Sequence, residues 1–193
     1  MKYTVAATLF ALPFAANASE LLGLSLRVGP SYPLDSDTRD LGGSLGFNAG
    51  LRYQLPVPGL LSSLIGATSG VDLEGFQAKD GSNKINYLGL TYLEQVRFAS
   101  LGPVTPYAGF GVGAYRLGVD NLRTTYSSFN TGSSVIVTTN TVGGNNSGVR
   151  FGGRAMIGVE LPMGLFTELS AVVTGKVNQI NANTVNLAVG LRF

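Results

Sequence analysis

Residues 184–193 read TVNLAVGLRF and set Val185, Leu187, Val189, Leu191 and Phe193 on one phase, against Thr184, Asn186, Ala188, Gly190 and Arg192 on the other. A period of two held over ten residues is the signature of a strand with two unlike faces, and helical spacing does not reproduce it. The pattern recurs upstream. Leu22, Leu24, Leu26 and Val28 oppose Gly23, Ser25, Arg27 and Gly29, while Leu45, Phe47, Ala49, Leu51 and Tyr53 oppose Gly46, Asn48, Gly50, Arg52 and Gln54. Further on, Phe151, Gly153, Ala155, Ile157, Val159 and Leu161 oppose Arg150, Gly152, Arg154, Met156, Gly158 and Glu160.

Four more segments alternate less cleanly. In 165–175, Leu165, Thr167, Leu169, Ala171 and Val173 share one phase. In 106–119, Ala108, Phe110, Val112 and Ala114 face away from Gly109, Gly111 and Gly113, and a slip is expected at Tyr115-Arg116. In 87–98, Glu94 falls among Leu88, Leu90, Tyr92, Val96 and Phe98, so either a bulge shifts the register there or the phase is misread. Around Val71 and Leu73, opposed by Asp72 and Glu74, the strand start is open anywhere in 60–69. Eight strands result. Tight links are expected at 99–105 and 162–164 and a proline-rich one near 55–62, where Leu60 to Ile65 is alternatively a short helical turn. Polar loops are expected at 30–42, 77–86, 120–148 and 175–183. Short turns at one end and long loops at the other describe an up-and-down membrane barrel.

Composition agrees. Of 193 residues only 12% are charged, about half the usual ~25%, and the 27 glycines are about twice the usual share. Such a chain is neither disordered nor strongly charged enough to seek nucleic acid. The absence of cysteine and histidine excludes disulfide scaffolds, thiolate metal sites and every histidine-based relay. Alternation alone does not distinguish a lipid-embedded barrel from a soluble one, which points its apolar face inward. The composition of the faces does. The polar phase is built from Gly, Ser, Asn and mixed charge, without the large aliphatic side chains a dry interior needs, and its cations are mostly arginine. Lys79, Lys84 and Lys176 fall in expected loops, and Tyr53, Phe98 and Phe193 fall at one rim, where an aromatic girdle belongs. The fold class expected is an all-β, eight-stranded, antiparallel up-and-down transmembrane β-barrel over 19–193. Residues 1–18 read as a signal peptide, with Lys2, an apolar run over Val5 to Ala16, and the small-x-small site Ala16-Asn17-Ala18.

The leader, the terminal NLAVGLRF, the stretch TPYAGFGVG at 105–113 and GGRAMIGVEL at 152–161 together resemble the OmpA-like family of eight-stranded outer-membrane barrels. The resemblance implies location in the bacterial outer membrane among lipid and lipopolysaccharide, as a monomer. It also implies that Val185, Leu187, Val189, Leu191 and Phe193 form the signal read by the barrel-assembly machinery. Stopping at Phe193, the chain is expected to lack the peptidoglycan-binding domain of longer members, and it lacks their girdle tryptophans.

The polar phase gathers Arg27, Arg52, Arg150, Arg154 and Arg192 with Asp72, Glu74, Glu160 and Glu168. In a lumen only wide enough for side chains, these charges are expected to pair into a plug. If ions do pass, the arginine excess favours anions. No enzymatic activity, cofactor or metal is expected. Lipid A acyltransferases and deacylases share the size but use histidine, and Gly109, Gly111, Gly113 and Ala114 match a nucleotide fingerprint only inside a strand. Asp35, Asp37 and Asp40 lack the other ligands a calcium site needs. The loop 120–148 carries Tyr126 and Phe129 and a β-prone SVIVTTNTV run, which suits a projecting hairpin. Structural support of the outer membrane is the leading expectation; a small gated pore, or an adhesin or receptor using 120–148, are the alternatives.

Overall fold

The two-fold periodicity of the sequence becomes a closed sheet. The computed structural model describes residues 23–81, 83–120, 124–131, 134–141, 146–177 and 181–193, with backbone only for 124–131 and 134–141. Strands β1 (Leu24–Pro33), β2 (Gly46–Pro58), β3 (Thr68–Asp80), β4 (Asn83–Arg97), β5 (Thr105–Asp120), β8 (Asn146–Glu160), β9 (Leu165–Thr174) and β10 (Thr184–Arg192) pair antiparallel in chain order, and β10 closes on β1. Every barrel strand has a neighbour on both sides, so the backbone leaves no open edge to be solvated. Between β5 and β8, β6 (Thr124–Thr131) and β7 (Ser134–Thr141) form a separate two-stranded hairpin. The projecting hairpin expected from the sequence is therefore present as backbone. The side chains of Tyr126 and Phe129 lie outside the described residues, as does the leader over 1–18.

The two phases separate as the sequence implies. Asn48 and Arg52 on β2, Arg154 and Met156 on β8 and Glu168 and Ser170 on β9 are buried in the lumen. Their sequence neighbours Phe47, Leu51, Phe151, Ile157 and Leu169 stand exposed on the outer wall, Phe151 at 87%. With Val28, Leu73, Leu88, Leu90, Phe110, Val112, Leu187 and Val189 they make a continuous apolar belt. A water-soluble protein does not expose such a surface, and a hydrocarbon solvent requires it. Tyr53 and Phe98 stand exposed at the end of the barrel that carries the short turns.

Three expectations are corrected. The β3–β4 connection is a tight turn around Gly81, where φ is +57°, and not a loop over 77–86; Lys79 and Lys84 face each other across the ladder. Sequence polarity misled there because the strands run past the lipid into water, where lysine is at home. No slip occurs at Tyr115-Arg116, since β5 keeps one register with β4 and β8 throughout. The break in polarity arises because the inward face itself turns apolar, with Tyr115, Leu117 and Val119 all buried. Neither does β4 bulge at Glu94, and the phase read from the sequence holds.

Glu94 instead points outward and is covered. The β2–β3 connection, with its helical turn α1 at Ser62–Ile65, folds back along the barrel wall. Its Leu60 and Leu61 N–H groups donate to the Glu94 carboxylate, which also accepts from the Tyr92 hydroxyl at 2.9 Å. Backbone donors thus satisfy a carboxylate that would otherwise face hydrocarbon at a cost of several kcal/mol. A helix at Ser36–Gly42, following β1, lies over the opposite, loop-bearing end. It is fixed there by the buried Thr38 hydroxyl, which donates to the Asn181 carbonyl at 2.5 Å.

Candidate functional site: the barrel lumen

Side chains from five strands meet at mid-lumen. Arg27 on β1, Arg52 on β2, Asp72 and Glu74 on β3, Arg154 on β8 and Glu168 on β9 each point inward by the parity of their position, and all are buried. Arg154 lies at the hub. Its Nη1 donates to Asp72 Oδ2 and Glu74 Oε2, both at 2.7 Å, and its Nη2 to Glu168 Oε1 at 2.6 Å and Ser170 Oγ at 3.2 Å. Arg27 donates to Asp72 Oδ1 and Glu74 Oε2 at 2.8 Å each, and Arg52 reaches Glu168 Oε2 at 2.8 Å. Three guanidinium groups and three carboxylates give no net charge. That balance makes burial tolerable, because each ion costs several kcal/mol to desolvate and recovers it only through well-placed partners.

Two tyrosines complete the cluster: the Tyr87 hydroxyl donates to Glu74 Oε1 at 3.1 Å, and Tyr107 to Glu168 Oε2 at 2.9 Å. Sequence reasoning missed both. The available signal was parity, since each shares a phase with inward-facing residues of its own strand.

The remaining charges of the polar phase stand apart. Glu160 and Arg192 pair at 2.7 Å near the turn end, joined by Arg97, which the sequence did not single out. Arg150 is outside the network altogether: it is exposed at the loop end, where its Nε donates to the Lys176 carbonyl at 2.7 Å. Its phase points inward, but its strand has by then risen above the charged layer, and sequence parity carries no height. On β10, Val185, Leu187 and Val189 face outward, Leu191 is buried between its cross-strand partners Leu26 and Leu165, and the Phe193 N–H donates to the Leu24 carbonyl at 2.7 Å.

Above the ionic layer part of the lumen is apolar, contrary to the expectation of a polar interior throughout, while buried Ser31, Asn48, Thr184 and Asn186 keep the β1, β2 and β10 side polar. Phe76, Ala78, Ile85, Tyr87, Tyr115, Leu117, Val119, Val172, Val177 and Ala182 form one buried cluster toward the loop end. Phe76 and Tyr87 lie 5.1 Å apart between centroids, and Tyr115 meets Tyr87 edge-on at 5.5 Å. The lumen is thus filled by two unlike tiers, one ionic and one built of an apolar cluster faced by neutral polar side chains.

The glycines provide seats for the large lumen side chains. A Cβ at Gly89 would meet the Tyr115 ring at 2.5 Å, one at Gly152 the same ring at 2.8 Å, and one at Gly50 the Arg27 guanidinium at 2.5 Å. Gly89→Ala should therefore cost about 1–3 kcal/mol through overpacking. Gly75→Ala, whose nearest neighbour is a carbonyl oxygen 4.0 Å away, should be close to neutral. Urea unfolding of the refolded barrel, followed by the mobility difference between boiled and unboiled protein, measures both.

The sequence matches no protein-family model and no curated protein. Among solved structures, Neisserial surface protein A aligns with a TM-score of 0.57 at 16% identity, covering 89% of this chain and 97% of its own. The outer-membrane enzyme PagL aligns with a TM-score of 0.54 at 15% identity, covering 88% and 99%. At such identities the likeness lies in the fold, which is the eight-stranded outer-membrane barrel.

Proposed function

We propose that this chain is an integral outer-membrane protein whose barrel seals its own lumen and serves the membrane structurally. The observation that carries this reading is the two-tier closure: a neutral cluster of six buried charges beneath a buried apolar cluster. The turn end with Tyr53 and Phe98 would face the periplasm and the hairpin end the exterior, among lipopolysaccharide. Closure without an edge suits a monomer. The alternating β10 ending in Phe193 suits recognition by the barrel-assembly machinery. The reading needs no cofactor and no catalysis; a fold shared with an enzyme does not supply the histidine or cysteine that this sequence lacks.

Refolded protein in a planar bilayer should pass no current, and steady single-channel steps would replace this reading with the pore. Binding through residues 120–148 is the second reading. It rests on the β6–β7 hairpin, which stands apart from the barrel sheet and, among the described residues, has an unpaired strand edge on each side. An isolated hairpin is marginal in water and its edges accept a further strand.

A further inference from the structure

The turn end of the lumen is an open vestibule of about 640 Å³, separate from the sealed tiers. Arg97, Arg192, Glu160, Gln54 and Thr105 line it together with an apolar rim that includes Leu55 and Met163. Two guanidinium groups share one carboxylate there, and they share one oxygen of it. Glu160 Oε1 takes Arg192 Nη2 at 2.7 Å, Arg97 Nε at 3.1 Å and Gln95 Nε2 at 3.4 Å. No other carboxylate pairs with either arginine among the described residues, so the terminal Nη edge of Arg97 keeps its donors for the cavity. The six charges deeper in the lumen cancel, whereas the charged side chains that line the vestibule are two guanidinium groups against one carboxylate. Unlike the inner ions, these side chains are partly exposed, so an incoming anion need not be fully dehydrated.

We infer that this vestibule is a binding site for a phosphate group, held between Arg97 and Arg192 with Thr105 and Gln54 as neutral partners. Planar guanidinium forks match oxyanion geometry, and the position in a concave mouth strengthens the local field. Two sources present that group beside a membrane, free phosphate and an anionic lipid headgroup; the apolar rim admits either.

The test uses the full mature chain refolded in dodecyl maltoside micelles, which carry no phosphate, at constant ionic strength in chloride. Inorganic phosphate should move the backbone amide resonances of Thr105 and Gln54 saturably. Arg97→Gln with Arg192→Gln should abolish the shift. Glu160→Gln, which removes the competing carboxylate but keeps an oxygen acceptor, should tighten binding about tenfold, equivalent to about 1.4 kcal/mol. The same resonances moving in phosphatidylglycerol nanodiscs, with free phosphate inert, would assign the lipid as the source and support the site equally. Folding of each variant is checked by heat-modifiable mobility. No saturable shift from either source, or an equal shift in the folded double-arginine variant, would overturn the inference.

Discussion

Arg154→Met should lower the stability of the barrel by about 3–5 kcal/mol, among the largest effects of any single substitution in the lumen. The physical reason is stoichiometric. Arg154 donates to Asp72, Glu74, Glu168 and Ser170, and without it three buried carboxylates face two guanidinium groups. Methionine fills much of the volume, so the loss reports charge more than cavity. With urea slopes on the order of 1–3 kcal/mol/M, the unfolding midpoint should fall by one to several molar. The companion measurement is Arg154→Met with Glu168→Gln. That pair restores neutrality, with Arg27 and Arg52 against Asp72 and Glu74, so it should be markedly less unstable than the sum of the two single variants. A loss below about 1 kcal/mol for Arg154→Met, or simple additivity, would show that the cluster is too hydrated to act as a neutral unit.

The second large effect concerns permeation, where the two tiers predict an order of opening. Arg154→Ser with Glu168→Ser removes one cation and one anion, thins the ionic layer and leaves it neutral. Current should still be absent, because Phe76, Tyr87, Tyr115 and Leu117 remain packed above it. Adding Tyr115→Ala and Leu117→Ala empties the centre of the apolar tier, and discrete conductance steps should then appear. Tyr115 is the more telling of the two, since its ring spans the lumen wall between Gly89 and Gly152 while its hydroxyl meets Thr91 at 3.0 Å. Current in the first variant alone would assign the whole seal to the ions. Silence in the combined variant would remove the lumen as a path.

The closure also explains the chain's composition. Glycine is abundant because large side chains lie across neighbouring strands in a narrow barrel, and each needs a residue without Cβ beneath it. Arginine prevails over lysine inside because one planar fork reaches several carboxylates: Arg154 alone bridges β3 and β9 from β8. The same logic sets the vestibule apart, since among the described residues Glu160 is the single acid paired with two arginines there.

The sequence alone determined the strands, their count in the barrel and which phase faces lipid. Each of these is a local property: alternation at period two is imposed by the pleat, and an inverted barrel leaves its apolar phase unbroken. That is why β8 and β10 were legible residue by residue, whereas Glu94, which suggested a bulge or a misread phase, required neither. Tertiary structure decided whatever depends on height along the barrel axis and on partners from distant strands. Arg150 and Arg154 share one phase of one strand, yet only Arg154 stands level with Asp72, Glu74 and Glu168. Tyr115, Leu117 and Val119 face the same lumen as Gly109 and Gly111 but occupy a tier where apolar side chains arrive from β3, β4 and β9. Arg97 finds Glu160 across the β4–β5–β8 register, 63 residues away. Parity is written into each strand separately; level and partnership exist only once the sheet has closed and its stagger has set which residues stand side by side.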